Sequence, residues 1–387
     1  MDTTITTAKG IISKIARQTI ESCKSKNGPV YHANAAMYSP PGVGKSSIVQ
    51  QIADALNIPM IDVRLVCMES ADVQGIPFVR DQKDMAFSTP SWFPVPDDES
   101  LDDDDPRKSP YGILLFDELT NAHRQTQQAA YRIFLDRSIQ NGRKLPDGWI
   151  IVAAGNRKED KTGSNDLPYA LANRFAVHLH IRADKDAFLA YAAERNIHHH
   201  VTGFISFKPE YLHVFDPKHM KDEAYPTPRT WEFVSRHLYM DYDDEELALV
   251  LAGCIGDGAA AEFLGFRKFY AEMPDFEKII AGKEQYKVPN DSNPGVIFAL
   301  VSSLLSYTFE CVIKKNAEGT ENLGKVLLQI PNEYLTLFWK QFKAAFEAKQ
   351  ASGELPSNMA PSHVHRTSPS MQESFHRIRK YLRSTVQ

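Results

Sequence analysis

The sequence lacks the marks of several functional classes. Its four cysteines, Cys23, Cys67, Cys254 and Cys311, are scattered with no C-x-x-C spacing. That pattern suggests a reducing compartment and no cysteine zinc site. Positive charge is not in excess: a net charge of −5 gives no reason to expect general nucleic-acid affinity. The start, Met1-Asp2-Thr3-Thr4-Ile5, is polar and has no apolar h-region, so no secretory signal is expected. The least polar run, Ser292 to Phe309, carries no charge but holds four serines plus Pro294 and Gly295. It reads as a buried helix capped by Asn293, with Pro294 at its first position, and not as a membrane span. No G-x-S-x-G hydrolase pattern and no internal repeat occur. Cytoplasmic is the default location.

What is present centres on Ser39-Pro40-Pro41-Gly42-Val43-Gly44-Lys45-Ser46-Ser47. An apolar segment ends here in a tight glycine loop, and a helical pattern follows. Such a loop turns backbone N–H groups around an anion and ends at a helix N-terminus, which favours negative charge. In a nucleotide site Lys45 would reach the β- and γ-phosphates and Ser46 would ligate Mg2+. Ser39 stands where the usual G-x-x-x-x-G-K-[ST] pattern has its first glycine. An ordinary glycine turn before a helix is the plain alternative.

With 387 residues, 43% of them hydrophobic, the chain can bury a core and form two or three domains. Helix at 5–26, strands at 30–38 and 58–65 and a helix at 47–56 argue a parallel sheet. Ile76 to Phe87 reads as a hairpin around Arg80-Asp81-Gln82-Lys83-Asp84. The acidic stretch 97–105 reads as a solvated loop, with a basic partner or a metal as alternatives. Gly112 to Phe116 and Trp149 to Ala154 have the continuous apolar pattern of strands buried on both faces. A helix is expected over 120–137, a second short hairpin over 139–149, a helix over 167–174 and a strand over 177–181. Beyond Arg182 only helices are expected: 185–196, 229–240, 243–253, 259–272, 295–314, 331–349 and 370–383. Ala351 to Pro369, rich in Ser, Pro and His, reads as a mobile linker. The tail beyond Trp339 is rich in Lys and Arg.

Asp117-Glu118 ends a buried strand about seventy residues after Lys45. Open α/β sheets bind ligands outside the carboxyl ends of their strands. An Asp there can hold Mg2+ and the adjacent Glu can polarise a water. Asn156 ends the next strand; its amide could orient that water, or simply form a turn after Gly155. Arg174 could neutralise transition-state charge, or serve as a cation at a helix C-terminus. Arg229 follows Thr227-Pro228 at a helix start, where a cation is unfavourable, which suggests an anionic partner. His198-His199-His200 has no carboxylate or cysteine at ligand spacing and reads as a polar turn.

Five motifs fall in the order of an AAA+ ATPase: Ser39 to Ser46, Leu115 to Leu119, Ala154-Gly155-Asn156, Leu171 to Phe175 and Thr227-Pro228-Arg229. Over about residues 8–315 the chain resembles the MoxR branch of that superfamily, within the dynein-related group, in its bacterial or phage-borne form. The resemblance implies an α/β P-loop parallel-sheet core with inserted β-hairpins over 1–182. An α-helical lid over 183–275 and a helical extension over 276–387 would follow. It implies ATP held by Pro41, Gly42, Val43, Gly44, Lys45, Ser46 and Ser47, with Mg2+ held by Ser46 and Asp117. Glu118 would be the base, Asn156 sensor 1, Arg174 an arginine finger offered to a neighbour and Arg229 sensor 2. The hairpin near 76–87 and the segment 139–149 would be pore-facing loops. The implied activity is ATP hydrolysis by a homo-hexamer that remodels protein clients, with a von Willebrand factor A-domain partner. A nucleic-acid motor is the alternative; the acidic balance argues against it and the basic tail for it.

Overall fold

The computed structural model describes residues 2–25, 29–80, 84–160, 167–216, 223–289, 293–351 and 353–385. The chain divides into two units, Met1–Ala183 with Asp216–His219, and Asp184–Phe215 with Met220–Gln387.

The first unit is an α/β layer structure. Its elements are β1 (Asp2–Thr4), α1 (Ile5–Ser25), β2 (Ala35–Ser39), α2 (Lys45–Leu56), β3 (Met60–Arg64), α3 (Ser70–Gln74), β4 (Pro77–Arg80) and β5 (Asp84–Phe87). They continue with β6 (Tyr111–Asp117), α4 (Arg124–Ala129), α5 (Tyr131–Asp136), β7 (Gly148–Asn156), α6 (Tyr169–Ala172) and β8 (Val177–Arg182). Six strands form one sheet in the order β1-β8-β2-β7-β6-β3, and every pairing is parallel.

The apolar runs alternate across the sheet, as a period-two strand requires. Ile113 and Leu115 of β6 pack with Ile12 of α1 and with Ile48 and Ile52 of α2. Leu114 and Phe116 point the other way, toward Ile133 and Phe134 of α5 and toward Phe93. Covered on both faces, β6 and β7 carry no polar residue until their C-terminal ends.

The expected hairpin is present as the antiparallel pair β4 and β5; Asp81-Gln82-Lys83 lie outside the described residues. The expected helix 120–137 is broken into α4 and α5 at Ala130 and ends at Arg137, whose φ is 51°. The second hairpin is shorter than expected: Ser138 and Lys144 form one isolated bridge, and Trp149 belongs to β7. Pro146 has no N–H with which to extend that pairing.

The second unit is helical among its described residues: α7 (Lys185–Glu194), α8 (His199–Phe207), α9 (Pro228–His237), α10 (Asp244–Ile255), α11 (Asp257–Arg267) and α12 (Phe276–Ile280). Then come α13 (Pro294–Ile313), α14 (Ala317–Leu327), α15 (Asn332–Ala351), α16 (Ser362–Thr367) and α17 (Pro369–Thr385). Leu300 and Leu304 of α13 pack with Leu323 and Leu327 of α14 and with Phe338, Phe342 and Phe346 of α15. The Asn293 side chain accepts the Gly295 N–H at 2.9 Å, and Pro294 opens the helix. Among the described residues α13 is the one helix long and apolar enough to cross a membrane, and most of it is buried inside this unit.

Within the stretch expected to be a linker, Leu355 and Val364 are buried and α16 is formed. The polar turn expected at His198-His199-His200 is instead the start of α8, because the His198 ring caps it: Nδ1 accepts the His200 N–H at 3.1 Å.

Candidate nucleotide-binding site

The ends of β2, β7 and β6 are neighbours in the sheet, so the chain after each strand emerges along one edge. After Ser39 the backbone turns through Gly42 at φ 75° and Gly44 at φ 100°. Side chains resist this left-handed region, which is why glycine suits both positions. Gly44 is the N-cap of α2 and makes no side-chain cap bond, so the first turn of a twelve-residue helix presents its N–H groups outward. Val43 is buried under the loop and Ser47 is exposed beside it.

Lys45 is only 8% exposed. Its ammonium donates to Asn156 Oδ1 at 2.9 Å, to Ser39 Oγ at 3.2 Å and to Ser39 O at 3.5 Å. These are neutral oxygens, and they hold the ammonium by hydrogen bonds. Ser39, the departure from the glycine pattern, thus adds a hydroxyl to the lysine's cage, and that hydroxyl donates to Pro40 O at 2.8 Å.

The Ser46 hydroxyl donates to Asp117 Oδ2 at 2.6 Å, although the two residues lie on different elements. Asp117 Oδ1 accepts the Glu118 N–H at 2.9 Å. Glu118 itself sits at φ 56°, a conformation that costs a non-glycine residue roughly 1–2 kcal/mol. The turn holding it there closes with Asn121 and Ala122 N–H bonds to the Glu118 carbonyl at 3.0 and 3.1 Å. Asn156 Nδ2 donates to Glu118 Oε2 at 3.4 Å.

One amide side chain therefore touches both the lysine and the glutamate. Lys45, Ser46, Asp117, Glu118 and Asn156, chosen from sequence, are brought together. The arrangement has the chemistry of a phosphate and divalent-cation site. A glycine loop and a helix N-terminus can cradle an anion beside a fixed ammonium. A hydroxyl and a carboxylate already in contact offer two hard oxygens to a metal such as Mg2+.

Arg174 lies elsewhere in this unit. Its guanidinium donates to Ala170 O and lies over the Tyr131 ring at 5.4 Å, and its Nε has no hydrogen-bond partner. Arg229 belongs to the second unit, in the first turn of α9, which Thr227 caps by accepting the Thr230 N–H at 3.1 Å. One residue escaped the sequence reading: Thr120, whose buried hydroxyl bonds the Asn156 backbone.

The three imidazoles of His198, His199 and His200 converge, with ligand atoms within 4.8 Å of one another. Two of their lone pairs are already used. His198 Nδ1 accepts the His200 N–H, and His200 Nδ1 accepts Arg267 Nε–H at 3.3 Å. Each of those neutral rings then carries its proton on Nε2, so neither offers a metal a free lone pair.

The fold and this edge define a P-loop AAA-type nucleotide-binding domain. Residues 35–183 match the model of the ATPase family associated with various cellular activities (AAA), and the chain carries an AAA ATPase family domain there. No curated protein matches the chain. Among solved structures, a mutant of Thermotoga maritima RuvB is similar at 15% identity, covering 70% of this chain and 74% of that one, with a TM-score of 0.34. The Thermotoga maritima RuvB Holliday junction branch migration motor is similar at 13% identity, covering 85% and 87%, with a TM-score of 0.31.

Proposed function

We propose that the chain is a ring-forming, Mg-ATP-hydrolysing AAA+ ATPase of the MoxR type that remodels protein partners. The observation carrying this is the single amide of Asn156 bonded to both Lys45 and Glu118. In this reading Pro41 to Ser47 enclose the phosphates and Lys45 holds the β- and γ-phosphates. Ser46 and Asp117 hold Mg2+. Bound Mg2+ would supply charge neutralisation on the phosphate oxygens. Glu118 accepts a proton from the attacking water, and Asn156 keeps that water and the lysine in register. The N–H groups of α2 stabilise the anion. Arg174, whose contacts lie away from Lys45, would be offered to a neighbour in a homo-hexamer, and Arg229 would sense the nucleotide.

A protein client is favoured by the β4–β5 hairpin, where Val79 is 72%, Met85 70% and Phe78 49% exposed. An apolar exposed hairpin suits a polypeptide better than a phosphate backbone. A von Willebrand factor A-domain protein is the partner class the branch suggests. The test is sizing with and without ATP, then capture of clients on a Glu118→Gln trap. A nucleotide-dependent oligomer that retains protein clients is expected; a monomer at full turnover overturns it.

A second reading, a nucleic-acid motor, draws on α17, where His376, Arg379, Lys380 and Arg383 line one concavity. ATPase stimulated by DNA or RNA, and lost as salt rises, would favour it.

A further inference from the structure

We infer that Thr120 is a positioning residue that holds the Asn156 amide between Lys45 and Glu118, an inference that rests on the reading of the site above. The argument begins with strand lengths. The β6–β7 ladder ends at Phe116 paired with Ala153, because β6 turns away after Asp117. Strand β7 runs on beside β2 as far as Asn156 paired with Ser39. A strand residue directs its N–H and C=O to the same edge. At Asn156 both would be orphaned where the β6 ladder stops, at a residue only 7% exposed.

The Thr120 hydroxyl replaces the missing strand. Its Oγ1 accepts the Asn156 N–H at 2.9 Å and donates to the Asn156 carbonyl at 3.1 Å. Thr120 is itself 3% exposed. The approach is close enough to require Gly155: a Cβ there would lie 2.6 Å from Thr120 Oγ1.

Thr120 is also fixed to the turn that carries Glu118. Leu119 N–H donates to Ala154 O at 2.9 Å, and the buried Gln127 amide donates to Leu119 O at 2.8 Å. The Glu118 turn and the end of β7 thereby become one piece, and the weak link between them is the 3.4 Å contact from Asn156 Nδ2 to Glu118 Oε2. Without the hydroxyl the end of β7 keeps its β2 pairing but loses its hold on the β6 side, and the Asn156 amide shifts so that it keeps its lysine contact or its glutamate contact but not both. Thr120 never touches substrate; it sets where Asn156 can.

The test compares Thr120→Val, Thr120→Ser and Thr120→Cys in the full chain, beside Asn156→Ala and Glu118→Gln. Thr120→Val is expected to lower kcat by about tenfold or more, the scale of a side chain displaced by under an ångström. Nucleotide affinity, measured with a fluorescent ADP, should stay within about twofold. Thr120→Ser should restore kcat to within about twofold, since it keeps the hydroxyl. Active-site titration with that ADP counts folded protein, so a stability loss alone would leave kcat per folded site unchanged. If Thr120→Val is not recovered folded, Thr120→Cys replaces it under the same criteria, because a thiol bonds weakly. Wild-type kcat in the valine or cysteine variant, or equal losses in the serine variant, overturns the inference. If Glu118→Gln and Asn156→Ala also keep wild-type turnover, the reading of the site falls instead.

Discussion

Lys45 and Asn156 are 111 positions apart in the chain, yet the ammonium of one donates to the amide oxygen of the other at 2.9 Å. The contact exists because β2 and β7 are adjacent in register, with Ser39 opposite Asn156. On the proposed function the two residues have separable roles. Lys45→Ala should weaken ATP binding by at least about tenfold, the scale of a lost charge-assisted hydrogen bond. Asn156→Ala should lower kcat with a much smaller effect on affinity. Nucleotide titration beside steady-state turnover checks both; equal loss of affinity in the two variants would refute the division.

Ser46 and Asp117 already share a 2.6 Å hydrogen bond. If they are the Mg2+ ligands, the benefit of Mg2+ to ATP binding should shrink in Ser46→Ala and in Asp117→Asn. Affinity measured in EDTA should change little. A variant that keeps the full Mg2+ dependence would place the metal elsewhere.

The imidazoles at the start of α8 give the second unit an acid sensitivity. Burial, reinforced by the charges of His199 and Arg267, holds His198 down at about 3; burial alone holds His199 at about 4, and His200 lies lower still. In the unfolded chain each titrates near 6.5. Between those limits the unfolded state binds protons that the folded state refuses, so stability falls as pH drops below about 6.5 and levels off below the folded values. The loss is on the order of 2 kcal/mol per imidazole at pH 5. Urea unfolding at pH 7.5 and pH 5.5 reads it before most carboxylates titrate. Asn at position 198 can still cap a helix, so His198→Asn should flatten the slope; an identical urea midpoint at both pH values in the wild type would contradict the account.

Asn293→Ala removes the oxygen that accepts the Gly295 N–H at the start of α13. It should cost about 1 kcal/mol, and Asn293→Asp should cost much less. Thermal melting of both variants decides the matter.

The parts of the fold legible in the sequence were those whose physics is local. Strands β6 and β7 are apolar without interruption because both faces are covered, and Asn293-Pro294 announces a helix start on any reading. The glycines of the phosphate loop are forced by φ 75° and 100°. Strand β1 was not legible: Asp2, Thr3 and Thr4 have no strand pattern, and only pairing with β8 makes them one. Helix α14 was missed because its glycines look like breakers, yet Gly319 and Gly324 sit where a Cβ would strike Asn316, Ile280 or Ser370. His198-His199-His200 reads as a polar turn from its composition, and a histidine cap leaves no strong sequence signal. Thr120 was invisible for a similar reason. A threonine after Asp-Glu-Leu is unremarkable until the end of β7 is placed beside it.

Helix α13 passes the length and hydropathy test for a bilayer span, and its shelter is tertiary: Leu300 and Leu304 are covered by α14 and α15, which are made later in the chain. While the chain grows, Pro294–Ile313 leaves the ribosome before either cover exists. For that interval the packing partner already made is α8, which precedes it in the chain. Fused behind an export signal, this segment would meet the translocon before α14 and α15 exist to cover Leu300 and Leu304, and should stop there as an inserted span.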